Sequence, residues 1–147
     1  KQKIHLQTEA LQRRNFSNSE HSIFVLFLPE NEIHELGILY LNFLILSKGY
    51  RTIFLGQSLQ TTSLETLYSY DTKFNFVSYL TVEPNSEEIM PFLNTFYKQV
   101  LEKHESKLIL FGPQQVAIDK ENLPKKIELY RSVESFVFKY FTDKVLI

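Results

Sequence analysis

Five short apolar runs, evenly dispersed and each followed by a polar turn, constrain this chain more than any other feature. They are SIFVLFL at 22–28, RTIFLG at 51–56, FNFVSYL at 74–80, KLILFG at 107–112 and KIELYRS at 126–132. The first is apolar without alternation, as expected of a strand buried on both faces of a parallel sheet. Between the runs lie segments with helical character. Residues 32–48 are apolar almost all round, so this helix is expected to be buried on most sides, with Gly49 closing its C-terminus. TTSLETLYSY at 61–70 predicts a short helix capped by Thr61 or Thr62 with Glu65. In 86–103, Ile89, Leu93, Phe96, Tyr97, Val100 and Leu101 recur at helical spacing, and Pro91 belongs in the first turn or at a kink. Val133 to Phe141 predicts the last helix.

Strands alternating with helices on short connections give an α/β fold with an open parallel sheet and helices on both faces. For five strands the expected order is 2-1-3-4-5, the flavodoxin-like arrangement. Its ligands bind at the carboxyl ends of the strands, by the switch point between strands 1 and 3. The chain of 147 residues suits one such domain over residues 21–147. Residues 1–20 are polar with widely spaced apolar positions, and are expected to be a linker or the tail of an upstream helical element. The chain does not begin with Met, which suggests a piece of a longer protein.

Composition removes several classes of function. A formal charge of −1 gives no general attraction to nucleic acid or anionic lipid, so this domain itself is not expected to grip DNA. The absence of cysteine excludes disulfides, thiolate metal sites and cysteine nucleophiles. No apolar run reaches the length of a membrane span and no secretory signal is visible, which makes cytoplasmic the default expectation. PENEI after the first strand would repel phosphate, and no Walker or Gly-x-Gly-x-x-Gly motif occurs. Leu80-Thr81 and Arg131-Ser132 stand where a phosphoacceptor receiver would need Asp and Lys. No catalytic constellation emerges, and the chain is expected not to be an enzyme by itself.

The chemistry-bearing stretch is ENEIHELG at 30–37. His34 falls at the carboxyl edge of the sheet, with Glu32 two residues before it. A carboxylate that takes the proton of one imidazole nitrogen fixes the tautomer and makes the other nitrogen a better metal ligand. One imidazole cannot hold zinc alone, but it can supply one axial bond to a metal already held by a macrocycle. The competing reading is a solvent-facing helix start, in which Glu32 and Glu35 merely complement the helix dipole.

Beyond this stretch the sequence resembles the cobalamin-binding domain family, whose signature is Asp-x-His-x-x-Gly, then Ser-x-Leu, then Gly-Gly. Here Glu32-Ile33-His34-Glu35-Leu36-Gly37, Ser78-Tyr79-Leu80 and Phe111-Gly112 stand near the corresponding spacings. GYRTIFLGQSL at 49–59 is similar to the family's second strand and following loop, which brings Ser58 and Leu59 into the cofactor-binding set. The departures are Glu for Asp at position 32, Phe111 for one Gly of the pair, and Gln60 where Pro often stands.

The resemblance implies cobalamin as cofactor, with His34 as lower axial ligand to cobalt in place of the cofactor's own dimethylbenzimidazole, and Glu32 orienting it. Gly37 would leave room for the displaced nucleotide tail beside the first helix. Ser78 would hydrogen-bond the buried base, Leu80 would pack against it, and Gly112 would allow close approach. The wording most resembles the effector half of MerR-type transcriptional regulators, which implies DNA-binding and helical-cap domains upstream and a sensory role. Two alternatives stay open. One is the cobalamin-carrying module of a corrinoid methyltransferase or mutase. The other is a degenerate relative acting as a cofactor-free oligomerisation or interaction domain, which leaves a homo-oligomer open.

Overall fold

The structure, a computed structural model, describes residues 22–69 and 73–141 together with Ile4. The N-terminal arm, the C-terminal residues 142–147 and the side chain of the expected capping residue Glu65 lie outside the described residues. Five strands, β1 (Ile23–Pro29), β2 (Arg51–Leu59), β3 (Phe74–Tyr79), β4 (Lys107–Phe111) and β5 (Ile127–Leu129), form one parallel sheet in the order β2-β1-β3-β4-β5. The switch point lies between β1 and β3, as the strand count predicts.

Right-handed crossovers force the connections onto opposite faces when the chain reverses its direction across the sheet. Helices α1 (Leu36–Ser47) and α3 (Val133–Phe141) cover one face. Their Ile38, Leu41, Ile45, Phe136 and Phe141 pack with Phe24, Leu26, Leu28, Val77, Ile109 and Phe111. On the other face, the segment at Thr61–Ser69 and helix α2 (Ile89–Phe96) bury Leu64, Ile89, Leu93 and Phe96 against Val25, Phe27, Phe76 and Leu110.

Four local differences from the sequence expectation have physical causes. First, α1 begins at Leu36 rather than 32, because the Glu32 side chain turns inward and accepts the His34 amide at 3.1 Å. Gly37 therefore stands in the first turn, not the helix interior. Second, Thr61–Ser69 is a 3-10 helix and not an α-helix. Third, α2 begins at Ile89, three residues later than expected. It widens at Tyr97–Leu101 into a π-turn, with the Glu102 amide donating to the Tyr97 carbonyl at 2.8 Å, and both Val100 and Leu101 are fully buried there. Pro91 sits in the first turn, where its missing N–H has no helical partner to lose. Fourth, the fifth strand is only Ile127–Leu129, shorter than the run at 126–132.

At the β1–β2 pair the register shifts between Leu26 and Phe27 and again before Pro29. This bulging carries the end of β2 toward the β1–α1 loop, where the Ser58 hydroxyl accepts the Asn31 amide at 3.1 Å. No helix among the described residues is long and apolar enough to cross a membrane.

Candidate functional site

The β1–α1 loop (30–35) and the β3–α2 loop (80–88) flank the switch point, and one side chain ties them together. Glu32 is fully buried. Its Oε1 accepts the backbone amides of Thr81, Val82 and Glu83 at 2.8, 2.7 and 3.1 Å. Its Oε2 accepts the His34 amide at 3.1 Å and faces His34 Nδ1 at 2.8 Å. Burial alone would raise the carboxyl pKa. The amides of Val82, His34 and Glu83 and the imidazole outweigh it and hold Glu32 down at about 2. Glu32 is thus a carboxylate and an acceptor only, so the Nδ1 hydrogen belongs to His34 and points at Oε2.

That assignment determines what His34 can do. With Nδ1–H donated to Glu32, the neutral ring carries its lone pair on Nε2, on the opposite edge. The His34 side chain is 54% exposed while that of Glu32 is 1% exposed, so a fixed, buried acceptor orients an open imidazole. Ile33 on one loop, Leu36 at the start of α1 and Val82 on the other loop present exposed apolar side chains at the same edge of the sheet. No group of three or more His, Cys, Asp or Glu residues among the described residues could hold a metal ion unaided. One imidazole nitrogen could supply a single bond to a metal that brings its other donors with it. The solvent-facing helix-dipole reading does not describe Glu32, which is inward and bonded through both oxygens.

The other residues singled out by sequence separate into distinct places. Ser78 and Leu80 are fully buried. The Ser78 hydroxyl donates to the Phe27 carbonyl at 2.7 Å, and Leu80 packs in the core of the α2 face. Leu59 packs at the margin of that same core, and Ser58 caps the β1–α1 loop. Gly37 lies on the α1 face, with Tyr79 directly over it: a Cβ at Gly37 would lie 2.7 Å from Tyr79 Cδ2. Gly112 has φ +105°, and a Cβ there would lie 2.3 Å from the Leu80 carbonyl oxygen, so it serves the packing of two loops. The structure therefore joins Glu32 to His34, Gly37 to Tyr79, and Gly112 to Leu80. Ser78 lies across the sheet from Gly37.

Tyr79 and the three loop amides are the site components the sequence did not single out. The amides have no sequence signature. Tyr79 did leave one: strand alternation puts it on the face opposite Ser78 and Leu80, toward α1.

Among solved structures, the chain is similar to the monomethylamine corrinoid protein of Methanosarcina barkeri, with a TM-score of 0.64, 14% identity, and coverage of 90% of this chain and 61% of that one. It is also similar to a cobalamin-binding protein from Desulfitobacterium hafniense DCB-2, with a TM-score of 0.52, 12% identity, and coverage of 69% of this chain and 48% of that one. The class is thus a five-stranded flavodoxin-like α/β domain of the kind found in corrinoid proteins, and at these identities the likeness is one of fold. The chain spans about three fifths and about half of those two proteins. No family model and no curated protein sequence matches it.

Proposed function

We propose that this domain binds a corrinoid of the cobalamin type, with His34 Nε2 as the lower axial ligand to cobalt. The observation that carries the reading is the Glu32–His34 pair: a buried, ionised carboxylate holds Nδ1 at 2.8 Å and leaves the other ring nitrogen at an exposed apolar edge. When bound, the corrinoid supplies cobalt-centred chemistry, either reactivity or a state that can be sensed. The chain's own residues have three tasks: His34 ligates, Glu32 fixes its tautomer and direction, and Ile33, Leu36 and Val82 exclude water from beneath the macrocycle.

In the regulator reading, the domain is the effector half of a MerR-type transcription factor and its partner domains lie upstream; the support is the wording of residues 30–59. The likeness to the Methanosarcina barkeri protein favours a second reading, a corrinoid-carrying module serving another domain or subunit. Both use the same site.

The test is to titrate the full chain with aquocobinamide, a corrinoid without the nucleotide, and record the visible spectrum for wild type and His34→Ala. Wild type should retain the corrinoid through desalting with a shifted spectrum, and the variant should lose the shift while remaining folded. Identical spectra for the two proteins would remove His34 from the cobalt.

A further inference from the structure

A corrinoid held through His34 gives up its own lower ligand, and in cobalamin that ligand is a nucleotide carrying an aromatic base. The resemblance places this base beside α1, next to Gly37. In this chain that space is filled. The Tyr79 ring lies against the α1 backbone, with Cγ and Cε2 each 2.8 Å from where a Gly37 Cβ would be. The ring stacks on Phe111 with centroids 6.4 Å apart and planes 6° from parallel, and Phe111 stacks in turn on Tyr130 at 5.8 Å and 24°. Phe136 locks the middle ring edge-on at 5.2 Å and 88°. Beneath the stack, Ile38, Leu41 and Ile45 of α1 close on the sheet with no exposed surface.

A cavity that Tyr79 does line has no α1 residue in its wall among the described residues. It is about 590 Å³ and is lined by Tyr79, Gly112, Gln115, Lys120 and Arg131 among others, along the ends of β4 and β5. The hydroxyl expected to meet the base is also engaged elsewhere: Ser78 bonds to Phe27 across the sheet from Gly37.

We infer that Tyr79 is a selectivity residue that closes the nucleotide slot, so that this domain takes an incomplete corrinoid such as cobinamide, macrocycle and cobalt without the nucleotide, in preference to cobalamin. The inference rests on the corrinoid reading above. Its energetic logic is an exchange of ligands. In cobinamide, His34 replaces water on cobalt. In cobalamin it replaces a base already bonded there, and the displaced base finds no buried place to go, so most of the gain is cancelled. A filled pocket also acts by exclusion, since specificity comes as much from what a site rejects as from what it attracts.

The experiment compares aquocobinamide with hydroxocobalamin, each titrated by visible absorbance and equilibrium dialysis into the full chain as wild type, Tyr79→Ala and Tyr79→Phe. Wild type and Tyr79→Phe should bind cobinamide at least about tenfold more tightly than cobalamin. Tyr79→Ala should gain cobalamin affinity while keeping its cobinamide affinity, which also reports that the variant is folded. Should Tyr79→Ala fail to fold, the wild-type comparison decides alone. Cobalamin binding as tightly as cobinamide in wild type, or a Tyr79→Ala variant that keeps the wild-type preference, overturns the role of Tyr79 and leaves the corrinoid reading standing. Failure of wild type to bind either compound overturns the corrinoid reading itself.

Discussion

The Glu32 carboxylate accepts the Val82 amide at 2.7 Å across fifty positions of sequence, and this bond joins the two loops that border the switch point. Because the same carboxylate also holds His34, the site's geometry and the fold's local stability depend on one side chain. Glu32→Ala should therefore cost on the order of 3 kcal/mol in urea unfolding, since three loop amides lose a charged acceptor at once. Glu32→Gln should cost less, because its carbonyl oxygen can still serve the amides while its NH₂ opposes Nδ1–H. Equal midpoints for Glu32→Ala and wild type would contradict this arrangement.

Gly37 and Tyr79 form a second coupled pair, and here the sign of a mutation should reverse with its background. In wild type, Gly37→Ala pushes a methyl into the Tyr79 ring, and overpacking of this kind costs about 1–3 kcal/mol. With Tyr79→Ala the obstruction is gone, and the helix preference for Ala should make Gly37→Ala stabilising by up to about 1 kcal/mol. A double-mutant cycle by chemical denaturation measures the coupling; additive effects would show that the ring yields freely.

Gly112 and Gly56 separate two ways in which glycine is required. Both have positive φ, +105° and +85°, but a Cβ at Gly112 meets the Leu80 backbone while one at Gly56 meets nothing within 4 Å. Gly112→Ala should cost roughly 2–4 kcal/mol and Gly56→Ala about 1 kcal/mol. Thermal unfolding of the two variants under one buffer tests the order, and a Gly56→Ala variant as damaged as Gly112→Ala would defeat the argument.

Acid should weaken the fold through Glu128 on the edge strand β5. Burial would raise its pKa, but hydroxyls from Tyr130 and Tyr140, at 2.7 and 2.8 Å, and ammonium groups from Lys107 and Lys139, both at 3.1 Å, hold it at about 2, below the ordinary 4.5. Burial, and then the bonds to the Glu128 carboxylate, push both tyrosines up. The folded pKa lies below the unfolded one, so the contribution is complete above about pH 4.5 and is lost as the pH falls toward 2. Urea midpoints measured at pH 7 and pH 3 should converge for wild type and Glu128→Gln as the pH drops. A gap that stays constant between the two proteins would assign the effect to packing instead.

Much of this fold was legible because its central strands β1, β3 and β4 are buried on both faces and so appear as plain apolar runs. Val133–Phe141 could be bounded from sequence for a similar reason, with turn residues before it and aromatic spacing within. The 3-10 geometry of Thr61–Ser69 and the π-turn at Tyr97–Leu101 were not legible, since both depend on what the neighbouring faces need to bury. Within the site, His34 and Glu32 stood out as a local pair. The three amides that hold Glu32 could not, because backbone groups carry no residue identity and their partner is far away in sequence. Tyr79 shows a different obstacle. It sits between the buried Ser78 and Leu80, yet it alone of the three faces α1.

The Glu32 anchorage has a further consequence, for affinity. An imidazole on an exposed loop normally loses rotamer freedom when a ligand captures it, at about 0.5–1.5 kcal/mol per side chain. Here His34 is already restrained at Nδ1, and the carboxylate that restrains it is itself held by three amides. That entropy is surrendered during folding rather than on binding. The imidazole is preorganised, so under the corrinoid binding proposed above part of the free energy of ligation would be retained as affinity instead of being consumed in ordering the loop.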